Sequence, residues 1–389
     1  MGRIYADNAA SVPMCEAARE AYLDALDRFG NPSSLHAEGA AAARLLAECR
    51  ESVAASLGAS PEEIVFTSGG TESDNAAILS MWERGKREGR RKLVSTAIEH
   101  HAVLCALERA RRDGAVIEFC PVDGEGRVDL EALASLVDGD TAGVSIMYAN
   151  NEIGTTEPIE ETAAICRERG VPFHTDAVQA VGQLAVDVRR NGVDMLSLSA
   201  HKFAGPRGVG ALYVRGGLSF EPLLCGGAQE RMRRAGTENA PAVAGTAAAL
   251  SLALSEREER ASRAAALRDR LIAGIGAIPG CTLTGSAGHR LPGLASFVID
   301  GVSGESLVIA LDLAGIAASS GAACASGSLE PSGVLTAIGF SPERARCALR
   351  LSISAANTDA EIDAICSATE SAVATIRKTS GNVLADENG

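Results

Sequence analysis

At 389 residues, 46% of them hydrophobic and 22% charged, the chain has an ordinary globular composition and room for two or three domains, or one large and one small. Its net charge of −14 gives no pull toward phosphate backbones or anionic lipid, which argues against nucleic acid and membrane surfaces as partners. No apolar run approaches the roughly 20 residues of a membrane span, and the start, MGRIYADNAA, has no apolar signal region, so a cytoplasmic location is expected. Ten cysteines are scattered with no C-x-x-C pair, which argues against a zinc knuckle or a dithiol motif, and no metal site is expected. With one Trp, four Tyr and eight Phe, the core must be mostly aliphatic.

Short apolar runs alternate with amphipathic stretches. Residues 64–67 (IVFT) predict a strand that runs into a Gly-rich turn and then a helix, TESDNAAILSMWERGKREG. Further strands are predicted at 92–96, 116–121, 143–148, 171–176, 195–199 and 210–214, with helices at 101–113 and 159–169. Strands separated by helices imply a mostly parallel sheet covered on both faces. This large domain is expected to fill residues 15–255. Residues 240–278 predict a long helix or a helix pair with a charged middle. Strands at 294–299 and 348–353 around two helices then suggest a smaller α+β domain, made of residues 1–14 and 256–380.

Three strand ends carry residues suited to chemistry. In SGGTESDN, 68–75, two glycines lead into a helix whose free N–H groups and dipole suit an anion such as phosphate. Thr71 can donate to the same anion; equally, Thr71 or Ser68 suits a plain N-cap. In HTDAVQAVG, Asp176 ends a strand, where it can pair with a cationic ring nitrogen or simply cap a turn. In SAHKFAGPRGVG, Lys202 follows a strand and can form a Schiff base, whereas most lysines are surface charges. Asp176 and Lys202 are 26 residues apart, one strand–helix–strand unit. A phosphate cradle, an Asp and a Lys in this order match the needs of pyridoxal phosphate (PLP) on the aspartate-aminotransferase fold. Lastly, SSGAACASGSLEPSG at 319–333 reads as a small-residue loop with Cys324 in its middle, an unusual setting for a cysteine and one that suits a nucleophilic thiol.

With these strings assembled, and with FGNPSSLH, IEHHAV, NNEIG and RAGTEN, the chain resembles the cysteine desulfurases of the NifS/IscS type over nearly its whole length. The loop around Cys324 is similar to that of the group with an extended Cys loop. The resemblance implies the PLP-dependent transferase fold, α/β and aspartate-aminotransferase-like. It implies Lys202 joined to PLP, Asp176 on the pyridine nitrogen, Gln179 on the ring hydroxyl and His100 over the ring as a proton carrier. Gly70, Thr71, Ser199 and His201 would hold the phosphate, with Thr237 reaching across a homodimer to the partner's cofactor. Asn151 would lie near the ring, and Asn31 and Arg350 would bind the carboxylate of L-cysteine. Cys324 would take the sulfur as a persulfide and pass it to an acceptor such as an iron–sulfur scaffold protein. Cys324 would also be placed to ligate a transferred iron–sulfur cluster.

The sequence departs from this family in three places. Ser354 and Ala355 stand where a Gly-Arg pair is usual, Gly70 stands in place of Ala, and the C-terminus has no recognisable partner-docking tail. Other readings on the same fold are a selenocysteine lyase, an aminotransferase, a sulfur donor for tRNA thiolation, or a non-catalytic scaffold. An aminotransferase needs no loop cysteine, so Cys324 is the discriminating feature.

Overall fold

The computed structural model describes residues 2–321 and 331–386, with side chains described to residue 379. Its strands are β1 (Ile4–Tyr5), β2 (Ile64–Thr67), β3 (Lys92–Thr96), β4 (Val116–Cys120), β5 (Thr141–Ser145), β6 (Phe173–Asp176), β7 (Met195–Ser199), β8 (Gly210–Val214), β9 (Cys281–Leu283), β10 (Leu294–Ile299), β11 (Ile316–Ala317) and β12 (Ala348–Ser352). The main sheet has the order β2-β8-β7-β6-β5-β3-β4, in which β8 alone runs against the rest. Six of these strands are buried along their whole length, as expected where helices cover both faces. β4, at the edge, is the exception and carries exposed positions.

The helices α1 (Glu16–Leu26), α2 (Ala37–Leu57), α3 (Gly70–Glu88) and α4 (His101–Arg112) dress this sheet. On one face α1 and α2 lie against helix Ala240–Ser255, and Leu46, Val53, Leu57 and Leu250 join Phe173, Leu196 and Tyr213 in one core cluster. On the other face Ile78, Met81 and Trp82 of α3 and Leu107 of α4 pack on Val65, Leu93 and Leu212. A separate cluster joins Ile4 and Ala6 to residues of helix Arg257–Gly276, the antiparallel sheet β12-β10-β9 and helix Asp359–Asp386. The N-terminal arm enters this second body through β1, which pairs in parallel with β11.

Several predicted elements lose one or two residues at an end, and the strand expected at 171–176 begins only at Phe173. The strand expected at 143–148 has its regular ladder at Thr141–Ser145, but the chain stays alongside β6: the Ile146 amide donates to the His174 carbonyl, and Tyr148 to that of Asp176. The stretch 240–278 is a helix pair, broken at Glu256, which ends the first helix and precedes the second.

Candidate active site

The carboxyl ends of the parallel strands meet on one edge of the sheet, where open α/β sheets bind ligands. At the end of β2 the chain turns at Gly69, whose φ of 149° suits only glycine, and enters α3. Gly69 is itself the N-cap and has no side chain to offer, so neither Ser68 nor Thr71 caps the first-turn amides. The turn is held by side chains from the first residues of α3 and by Arg234. The Ser68 amide donates to Glu72, which Arg234 fixes through 2.9 and 3.3 Å contacts, and Thr67 Oγ1 bonds Ser73 Oγ at 2.8 Å. Ser199, at the end of β7, faces the same turn: a Cβ on Gly69 would lie 3.5 Å from its Oγ. His201 bonds Ser11 Oγ at 3.2 Å and is pushed down to about 4, chiefly by burial and then by the charges of Lys202 and Arg207. Uncapped amides, Ser199 and the exposed Thr71 form a cradle of donors suited to an anion.

Neighbouring strands place the Asp and the Lys. Asp176 ends β6, is buried, and accepts from the Val178 amide at 2.9 Å. Burial pushes its carboxyl up, and the charges of His100 and Lys202 oppose that rise. Lys202 lies in the short turn Ala200–Lys202 after β7, half-buried rather than on the surface. Its Nζ donates to the carbonyls of Ala9 at 2.5 Å and Ala10 at 3.0 Å, and Gln179 Nε2 reaches the same Ala9 carbonyl at 2.9 Å. His100 is the N-cap of α4, where its Nδ1 accepts from the Ala102 amide at 3.1 Å. One donor atom each of Asp74, His100 and Asp176 lies within 4.8 Å of the others.

Arg350 closes the opposite side from β12. It is buried, its Nη2 pairs with Asp7 at 2.8 Å, and its Nη1 donates to the Asn151 carbonyl at 2.9 Å. Its Nε has no partner among the described residues. Arg350 and Asn151 are thus brought together, whereas Asn31 and Thr237 are both exposed, and the described contacts bring neither to Lys202. Cys324 lies outside the described residues. The described ends of its segment are tied near Arg350. Ser319 exchanges backbone hydrogen bonds with Arg350 at 3.1 and 2.7 Å, and Ser332 Oγ donates to the buried Glu152 at 2.6 Å. A cavity of about 700 Å³ reaches Lys202 and Gln179 from the side of helix Arg257–Gly276, and Ser354 and Ala355 line it.

The sequence model of the Aminotransferase class-V family matches residues 4–365. A cysteine desulfurase of Gluconacetobacter diazotrophicus is 46% identical over 386 residues, covering 98% of this chain and 96% of its own. The chain belongs to the cysteine desulfurase family. The cysteine desulfurase NifS of Azotobacter vinelandii is 44% identical over 98% of this chain and 95% of its own. A solved NifS-like protein superposes with a TM-score of 0.90 at 35% identity, over 96% of this chain and the whole of the other.

Several residues of this desulfurase-family site have no signature of their own in the sequence. Asp7, Asp74, Glu99, Glu152 and His174 sit inside the strings ADNAA, TESDN, IEHHAV, NNEIG and HTDAVQ, and only the fold gives each a neighbour. The acceptors of Lys202 are backbone carbonyls, which no side-chain pattern marks.

Proposed function

We propose that this chain is a PLP enzyme that takes the sulfur from L-cysteine, leaving L-alanine and a persulfide on Cys324. The observation that carries the reading is the buried Asp176 and the half-buried Lys202 at neighbouring strand ends, beside a helix start whose amides no side chain caps. These donors fit the group: amides and hydroxyls for a phosphate, a carboxylate for a ring nitrogen, an amine for an aldehyde. When bound, PLP supplies an electron sink for the carbon next to the substrate's amino group.

The protein's own residues do the rest. Lys202 is held by the Ala9 and Ala10 carbonyls, which orient its amine. Asp176 keeps a proton on the ring nitrogen. His100, held at the start of α4 by the Ala102 amide, lies within 4.8 Å of Asp176 and suits the role of proton carrier. Arg350, whose Nε has no partner among the described residues, suits the substrate carboxylate. The carbon–sulfur bond of cysteine breaks as a sulfur–sulfur bond to Cys324 forms, so cysteine and thiol become alanine and persulfide with all atoms retained. Burial pushes Cys49 and Cys281 up to about 11 and Cys120 and Cys166 up to about 12, so these stay thiols at neutral pH and are poor nucleophiles. In this reading the enzyme is a cytoplasmic homodimer that delivers sulfur to an acceptor such as an iron–sulfur scaffold.

The test is mass spectrometry of the PLP-loaded protein after brief exposure to L-cysteine without reductant. One added sulfur is expected on the peptide containing Cys324. Cys324→Ser should keep the visible absorbance of bound PLP yet form almost no alanine, and Lys202→Ala should lose that absorbance. Sulfur on the exposed Cys105 or Cys225 instead, or an unchanged spectrum in Lys202→Ala, would overturn the assignment.

A further inference from the structure

Behind Asp176 lies a second carboxyl that the reaction above does not use. Asp74, in the first turns of α3, is 1% exposed, and among the described residues neither of its oxygens has a well-formed hydrogen bond, the Ser197 hydroxyl being the one neutral donor near it. The ring of His174 is its nearest cationic candidate, 3.7 Å from Oδ1. That ring is already spoken for: Nδ1 bonds Ser145 Oγ and Nε2 bonds Ser197 Oγ, each at 2.9 Å. Burial pushes His174 down to about 3, so it is neutral and balances no charge.

The groups facing this pocket come from four elements. α3 brings Asp74, β6 brings His174 and Asp176, the turn before α4 brings Glu99 and His100, and the turn after β7 brings Lys202. Glu99 Oε1 accepts from Thr96 and the Met147 amide at 2.9 Å each, and its Oε2 has no partner among the described residues. Two charged carboxylates within 5 Å of each other in a dry interior are not tolerated, so the pair of Asp74 and Asp176 holds a proton. The partners decide which carboxyl keeps it. Asp176 has the Val178 amide and the charges of His100 and Lys202 to support an anion. Asp74 has none of these. Burial holds Asp74 well above the usual carboxylate range, the Asp176 charge adds to this, and only the Ser197 hydroxyl pulls the other way.

We propose that Asp74 is a positioning residue, a neutral carboxylic acid that confines the negative charge of the pair to Asp176, the carboxyl that meets the cofactor nitrogen. The proposal rests on the PLP reading for its role. The proton on Asp74 is testable without that reading.

The test is urea unfolding of the full-length chain, as purified and after removal of PLP, at several pH values from 6 to 8. A proton held by the native state and released on unfolding lowers the folding equilibrium constant about tenfold per pH unit. Asp74→Asn, nearly identical in shape, should lose that tenfold dependence relative to wild type, and Asp74→Leu should do the same. Asp176→Asn should keep it, because Asp74 stays buried with no amide and no cation to support its charge. Asp74→Asn should also bind PLP within about threefold of wild type, whereas Asp176→Asn should bind it far more weakly. A wild-type pH dependence in both Asp74 variants, or its loss in Asp176→Asn, would overturn the proposal. A wild type that fails to take up PLP would instead sink the cofactor reading, and the proton count would stand apart from it.

Discussion

Gly70 and Val178 share one space. A Cβ on Gly70 would lie 2.6 Å from Val178 Cγ2, with the next atom, Ser199 Cβ, at 3.7 Å. Gly70 does not have a positive φ, so the objection to alanine is space alone. The family resemblance expects Ala at this position, and the Val178 methyl accounts for its absence here. Val178 also donates its amide to Asp176, so pushing it aside disturbs the carboxylate. Gly70→Ala is expected to cost about 1–3 kcal/mol by overpacking and to weaken PLP binding about tenfold. Val178→Ala in the same chain should restore most of both. A double-mutant cycle read by urea unfolding and PLP titration checks this, and simple additivity would refute the shared-space argument. At this scale the sequence shows residues whose signal is local. Asp176, Lys202 and the Gly69–Gly70 turn each stand at the end of an apolar run. It does not show Asp7 as the partner of Arg350, 343 residues away, or the Ala9 carbonyl as the acceptor of Lys202. Those pairings exist only once the N-terminal arm has folded back over the strand ends.

Between elements, one buried ion pair fixes the approach to Thr237. Arg50 of α2 meets Glu230 through two contacts of 2.6 and 2.7 Å, with side chains 10% and 1% exposed. Glu230, Arg231 and Met232 all have positive φ, at 47°, 56° and 64°, which costs non-glycine residues roughly 1–2 kcal/mol each. Glu230 holds that turn in place. It also accepts from the Phe66 amide at 2.9 Å, while Arg50 stacks on the Phe66 ring at 4.6 Å and donates to the Ile64 carbonyl. Glu230→Gln leaves the Arg50 charge buried and unpaired, which is expected to cost about 3–5 kcal/mol. It should also free the segment that carries Thr237, and so weaken the homodimer that the shared-site reading requires. Urea unfolding and sedimentation velocity check both effects. Unchanged stability would refute the anchoring, and a monomeric wild type would refute the shared site. Element limits were most legible where buried strands end abruptly. The predicted strands 64–67, 92–96, 195–199, 210–214 and 294–299 match β2, β3, β7, β8 and β10. The helices α1 and α2 have no separate signal in the sequence. α2 is rich in alanine (AEGAAAARLLAECRESVAASL), so its buried and exposed faces differ little in hydrophobicity.

For the molecule as a whole, buried titratable groups set how stability varies with pH. His174 is lowered from 6.5 to about 3. Between those values the unfolded chain binds a proton that the native state refuses, so stability is lost as pH falls below 6.5. Glu157 is raised by burial from 4.5 to about 7; its Oε2 accepts from the Val128 amide, and its Oε1 has no partner among the described residues. Here the native state keeps a proton that the unfolded chain has given up, so stability is lost as pH rises from 4.5 to about 7. Between pH 4.5 and 6.5 the two groups oppose each other with one proton apiece and nearly cancel. Asp74 and Glu99, both held up chiefly by burial, add to the loss on the alkaline side. The acid limb below pH 4.5 is then left to His174, and the optimum falls on the acid side of neutrality. Glu157→Gln removes one of the two opposing protons while keeping an oxygen for the Val128 amide. Its shift of 2.5 pH units corresponds to roughly 3 kcal/mol, less whatever water penetration relieves. Relative to wild type, the variant should therefore gain about that much stability between pH 4.5 and 7, with little further change above. Urea unfolding of both proteins at half-unit steps from pH 4.5 to 8 measures the difference. A variant whose stability stays parallel to wild type across that range would show that Glu157 is ionised in the native state, and the balance drawn here would fail.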